Sequence, residues 1–133
     1  MEPNSNIISS LTRGEPSFTM NKPFFRRVAD EMLDHETARQ ITEQEEAIAQ
    51  NPDWAEGYYH LAQLLRVQQK PLEAKRQLLI ALEKKPLLTD AHIALGEILI
   101  AEGEFERALE HAEIAAQLGN GRLLEQMKRN TGT

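Results

Sequence analysis

The sequence predicts an all-α fold, a solenoid of stacked antiparallel helix pairs, and three observations carry that expectation. Apolar residues recur at helical spacing through most of the 133 residues. Prolines and glycines interrupt those stripes often enough to leave helices of about three turns each. A single offset, 34 residues, then lays the small and large apolar positions of one stretch over those of the next.

The elements follow in order. Residues 1–20 hold Pro3, Gly14 and Pro16 among polar residues with little periodicity, the composition of a flexible tail, although Ile7, Ile8, Leu11 and Phe18 are embedded in it. From Pro23, the apolar residues Phe24, Val28 and Met32 recur every fourth position, with Phe25 and Leu33 beside them, and predict a first helix. Asp34 is expected to cap a second helix through Ala38, Ile41 and Ile48, which Pro52 closes off. Asp53 is expected to cap a third in capping-box fashion with Glu56, ahead of Leu61, Ala62, Leu64 and Leu65. Pro71 suits the first turn of a fourth helix carrying Ala74, Leu78, Ala81 and Leu82, and Pro86 ends it. Thr89 is the expected cap of a fifth, with Gly103 free to take the left-handed turn that closes it. A sixth runs from Phe105 through Ala115 to Gly119, and the amphipathic GRLLEQMKRN reads as a terminal cap.

The repeat is the most informative feature. Leu61 pairs with Leu95, Ala62 with Gly96, Leu65 with Leu99, Ala74 with Ala108 and Ala81 with Ala115, each pair 34 residues apart. The same offset joins Pro52 to Pro86 and Ala47 to Ala81, so the register reaches back into the second helix and argues for three units. Those units are expected at residues 21–54, 55–88 and 89–122, with the cap over 121–130. Small residues recur because antiparallel pairs must approach closely to pack.

This spacing and residue set resemble the tetratricopeptide repeat, which pairs a Leu-Gly/Ala-x-x-Tyr first helix with an Ala-x-x-x-Phe second helix and a closing proline. Here the stretches read YYHLAQLL with EAKRQLLIAL, then HIALGEIL with ERALEHAEIA. The likeness is strongest from Ala55 to Asn120, and it departs from the pattern at Pro71 and Leu78, where aromatic residues are commoner. It implies a right-handed solenoid of about three units plus a C-terminal capping helix. It also implies a non-enzymatic adaptor, scaffold or co-chaperone-like module that holds a peptide or helix of another protein in a concave groove.

By the same resemblance, the first helices line that groove with Glu56, Tyr59, His60, Gln63, Arg66 and Val67 from one unit. Asp90, Ile93, Ala94, Glu97, Ile100 and Ala101 match them in the next. Some members of the family clamp the C-terminal carboxylate of heat-shock chaperones through Lys and Asn; Tyr59, Gln63 and Ala94 stand at the matching positions here, which disfavours that partner class. The mixed charges with an acidic excess suit an amphipathic or basic segment better than an acidic tail. Independently of family, the fifth helix is apolar nearly all round, and Ile93 and Ile100 fall off its core face. A neighbouring helix, a partner's side chain or the chain's own tail are the three candidates to cover them. A second functional class also stands: a self-associating assembly factor whose copies complete each other's solenoid in a homo-oligomer.

Composition weighs against other classes. A net charge of −6 opposes a phosphate backbone, so nucleic acid is not an expected partner. Cysteine is absent, which removes disulfides and thiolate metal sites. No stretch approaches the roughly 20 apolar residues of a membrane-spanning helix, and no basic start leads into an apolar run, so a cytoplasmic protein without direct membrane insertion is expected. The histidines at 35, 60, 92 and 111 share no close spacing, although His60 and His92 are candidates to approach across neighbouring helices; no metal and no cofactor is expected. Every serine precedes Pro23, no glycine-rich phosphate loop appears, and the carboxylates belong to solvated helix faces, so no catalytic residue is assigned.

Overall fold

A computed structural model describes residues 22–130, which form six helices. These are α1 (Lys22–Gln50), α2 (Ala55–Val67), α3 (Pro71–Lys84), α4 (Thr89–Ala101), α5 (Phe105–Gln117) and α6 (Arg122–Asn130). The expected tail, with Ile7, Ile8, Leu11 and Phe18, lies outside the described residues. The chain divides into two units, Met1–Glu36 and Thr37–Thr133. In the first, Phe24, Phe25, Met32 and Leu33 are exposed, and the rings of Phe24 and Phe25 meet edge-on at 5.8 Å.

The second unit holds the repeats. Helices α2 and α3 form one antiparallel pair, α4 and α5 the next, and α6 packs on α5 and α4. Ala62, Ala74, Ala81, Ala108, Ala112 and Ala115 are fully buried, as close helix approach requires. Leu61, Leu65, Leu78, Leu88, Leu95, Ile98 and Leu99 fill the space between the pairs, and Ile48 of α1 joins them.

Three expected boundaries are corrected. Asp34 starts no helix: α1 runs unbroken through it. Between Pro23 and Pro52 there is no proline or glycine, the stretch from Glu36 to Gln50 is rich in strong helix formers, and one interior Asp costs only a few tenths of a kcal/mol. Nor do Asp53 and Thr89 cap their helices; the residues at those positions are Trp54 and Leu88, which make no side-chain cap bond. They stand 34 apart, and packing fixes both starts. The Trp54 ring lies over Gly57, so close that a Cβ there would meet it at 2.5 Å, and Leu88 is buried in the core. Each start then makes the same tight turn, Gly57 N–H to Trp54 O at 3.0 Å and Ala91 N–H to Leu88 O at 3.1 Å.

The helix ends repeat as well. Gly103 takes φ 83° and Gly119 φ 105°, and the N–H groups of Glu104 and Asn120 bond back to Leu99 O and Ala115 O at 2.8 and 2.9 Å. Gln69 occupies the position equivalent to Gly103, with φ 64° and the matching bond from Lys70 N–H to Leu65 O at 2.9 Å. A side chain is strained in this left-handed conformation and glycine is not, by about 1 kcal/mol. Gln69→Gly should therefore raise the urea midpoint, by about 0.5–1 kcal/mol of stability. A lowered midpoint would show that the Gln69 side chain contributes more than the strain removes.

Candidate functional site

The face expected to bind is formed by α2 and α4 with the second half of α1. His60, Gln63, Leu64 and Val67 of α2 enclose a depression of about 460 Å³ with Gln40, Glu43 and Gln44 of α1. One repeat further, Glu97, Ile98 and Ala101 of α4 enclose a second of about 300 Å³ with Arg66, Gln69, Pro71 and Glu102. Gln63, Leu64 and Val67 are the repeat equivalents of Glu97, Ile98 and Ala101, so the two hollows are successive copies of one feature. Arg66 joins them: its Nη1 donates to Glu97 at 3.1 Å and to Gln63 at 3.2 Å.

The two hollows differ in depth for a physical reason. Ile98 is only 3 % exposed because α2 and α3 flank it. Its equivalent, Leu64, is half-buried at the mouth of the first hollow. The α1 residues facing Leu64 are also polar, Gln40 and Gln44, where the later units hold the buried Ala74 and Leu78. Gln44 is held in place, its Nε2 donating to Gly57 O at 3.2 Å. The sequence carried that signal in the 34-residue register, but Gln40, Glu43, Gln44 and Leu64 were not among the residues assigned to the groove.

Other assigned residues fall in several places. His60 and Val67 are exposed, Asp90 is exposed, and Tyr59 is half-buried against the core. Desolvation pushes the Tyr59 phenol up from its ordinary value, with Asp90 and Glu97 adding to the effect, so it remains a neutral hydrogen-bonding group. Glu56 accepts from Lys85 Nζ at 2.8 Å, and that bond lowers its carboxyl below the ordinary carboxylate range. Ile100 is half-buried between the two apolar clusters.

Ile93 is a correction. It is buried, 5 % exposed, with Ala112, Ala115 and Leu123, and so offers no surface to a partner. Helix α6 supplies the cover, since Leu123 is itself only 1 % exposed in that cluster. Among the described residues, then, a neighbouring helix covers Ile93, while the tail proposed as an alternative cover lies outside them.

The histidine expectation is corrected too. His92 meets His111, not His60: their Nδ1 atoms are 3.1 Å apart, and His92 Nε2 lies 2.8 Å from Pro86 O. A carbonyl can only accept, so His92 carries its proton on Nε2 and its Nδ1 accepts from His111 Nδ1–H. This role repeats: Tyr58, the equivalent of His92, donates its hydroxyl to Pro52 O at 2.9 Å, and Pro52 is the equivalent of Pro86. The pair therefore ties a repeat loop to its helices. Among the described residues no group of three or more His, Asp or Glu side chains is placed to share a metal ion. No helix among them is long and apolar enough to cross a membrane.

His111 has a consequence for pH. Burial, then the neighbouring His92, holds its imidazole below the ordinary value of 6.5, with Arg107 acting the same way and Glu110 opposing. The unfolded chain therefore takes up this proton at a higher pH than the folded one, and stability conferred above about pH 6.5 is lost as the pH falls through the depressed value. Melting temperatures measured from pH 8 to 5 should fall with acid in the wild type and fall less in His111→Gln. Parallel curves for the two would dismiss His111 as the titrating group.

Solved structures share this architecture. The TPR2B domain of yeast Sti1, in a complex with pHsp70, superposes with a TM-score of 0.62 at 25% identity, over 76% of this chain and 84% of that one. The chain has the tetratricopeptide-repeat fold. MamA shares the fold, with a TM-score of 0.61 at 22% identity over 77% of this chain; the match spans 56% of that protein. No family model matches the sequence, and no curated protein matches it. The tetratricopeptide-repeat fold is in general that of a protein–protein interaction module.

Proposed function

We propose that this tetratricopeptide-repeat protein is a non-enzymatic adaptor that holds a segment of another protein across the two hollows. The observation that carries the reading is their recurrence at the repeat spacing, with an apolar pair lining each: Leu64 and Val67, then Ile98 and Ala101. Neighbouring packed helices are about 10 Å apart, so the segment would present two apolar side chains at about that separation. Two residues at i and i+7 of a helix meet it.

Charge steers this groove less than composition suggests. Glu43, Glu97 and Glu102 each hold a cation already, Arg39 at 2.6 Å, Arg66 at 3.1 Å and Lys75 at 2.7 Å. The face is a mosaic of satisfied pairs, so apolar side chains provide affinity while His60, Gln40 and Gln63 set orientation. The Sti1 neighbour, solved with pHsp70, supports a peptide as occupant. With Tyr59, Gln63 and Ala94 at the positions of a carboxylate clamp, recognition here would rest on a different part of the partner.

Selection of a displayed peptide library on the purified protein tests this. Enriched peptides should carry the spaced apolar pair, and Val67→Glu, at a position 53 % exposed, should weaken their binding at least about tenfold, with Arg66→Glu also weakening it. Unchanged affinities for both variants would move the binding face elsewhere. Ile93 is unsuitable for this purpose, because a charge there would disrupt the packing of α6.

A further inference from the structure

Two apolar surfaces lie outside the groove, and the basic start of one is opposite in sign to the rim of the other. The first is on the opening turns of α1. Phe24, Val28 and Met32 recur every fourth residue with Phe25 alongside, which places all four within about a 100° arc of the helix. Phe24 is 53 % and Met32 68 % exposed. The guanidinium of Arg27 lies 5.9 Å from the centre of the Phe24 ring, and Arg26 precedes it, so the stripe begins basic and aromatic, with the carboxylates of Asp30 and Glu31 one turn further on.

The second surface is a hollow of about 380 Å³ between α5 and α6, at the C-terminal end of the repeats. Phe105, Leu109, Leu124 and Met127 form its apolar lining, and Glu106 and Glu113 make its rim mostly acidic, with Lys128 the one cation. Phe105 is 60 % exposed. The last helix of a solenoid ordinarily turns a polar face outward, because an apolar end invites stacking.

We propose that this hollow is a docking site for a second copy of the chain, which inserts the Phe24–Met32 stripe of its α1 with Arg26 and Arg27 toward Glu106 and Glu113. The donor and acceptor surfaces are different patches, so the contact is heterologous. A pair joined by one such contact keeps one donor and one acceptor surface unused, so further copies can add head to tail. One helix face in one hollow is a small interface, which makes each contact weak and the assembly dependent on concentration. Ion pairing at the rim makes it weaken with salt.

Sedimentation of the full chain tests the proposal, with Phe24→Asp blocking the donor surface and Phe105→Asp the acceptor. Both residues are exposed, and far-UV circular dichroism confirms that the variants remain helical. The wild type should grow in average mass with concentration, beyond a dimer, and shrink at high salt. Each variant alone should sediment as a monomer, while a mixture in equal amounts should form a one-to-one dimer and stop there. A wild type that remains monomeric at its highest soluble concentration would overturn the proposal. So would a Phe24→Asp protein that still self-associates, since the hollow would then be meeting another hollow, or a mixture that stays monomeric.

Discussion

Leu99→Ala should cost about 2–5 kcal/mol of stability, the loss typical of emptying a fully buried leucine site. Leu99 has no exposed surface and lies in the cluster that joins the two helix pairs, among Leu95, Ile98 and Ala108. Those neighbours sit on packed helices, so the cavity cannot collapse without pulling apart the pairs on which both hollows depend. Its repeat equivalent Leu65 is 8 % exposed and belongs to the less covered unit, so Leu65→Ala should cost less. Urea titration of both variants provides the comparison. Equal midpoints would mean that the core is loose enough to refill, and that the close packing between the pairs is not what stabilises the array.

Gly96→Ala and Leu123→Ala should be strongly coupled. A Cβ on Gly96 would meet Leu123 Cδ2 at 2.6 Å, and Leu123 is buried with little room to give. Alone, Gly96→Ala should destabilise by about 1–3 kcal/mol, the usual cost of overpacking, even though alanine favours the helix. Leu123→Ala alone should also destabilise, by about 2–5 kcal/mol, and would uncover Ile93. In the double variant the obstruction is gone, and the added alanine should recover up to about 1 kcal/mol through helix propensity. A double-mutant cycle by chemical denaturation reads this as a change of sign in the effect of Gly96→Ala. Simple additivity would refute the seating of α6 against α4 through Leu123.

These two sites also mark what could be read without coordinates. Gly96 stands where the previous unit has Ala62, so the register already called for a small residue, but that its space is taken by a leucine of the last helix is a tertiary fact. Ile93 shows the same limit. Its position relative to Ile100 placed both on an off-core face of α4, and only the packing of α6 distinguished burial from a surface that partners reach. Asp34, Asp53 and Thr89 carry the chemistry of helix caps, yet the uninterrupted run of helix formers in α1 and the packing of Trp54 and Leu88 set the boundaries instead. The polar residues Gln40 and Gln44 were legible as departures from the repeat, but their meaning required knowing that they face Leu64.

The sequence by itself determined the repeat: its 34-residue period, the small residues where helices cross and the glycines that close α4 and α5 are local or periodic constraints, which one strand of text records in full. Tertiary structure alone decided which apolar faces are spent on the fold and which remain available. That depends on what lies across from each side chain. Helix α6 covers Ile93 while Phe105 and Leu109 remain at the surface, and His92 finds His111 across the helix pair, because contacts between elements arise from the stacking of units and leave no spacing in the sequence to read.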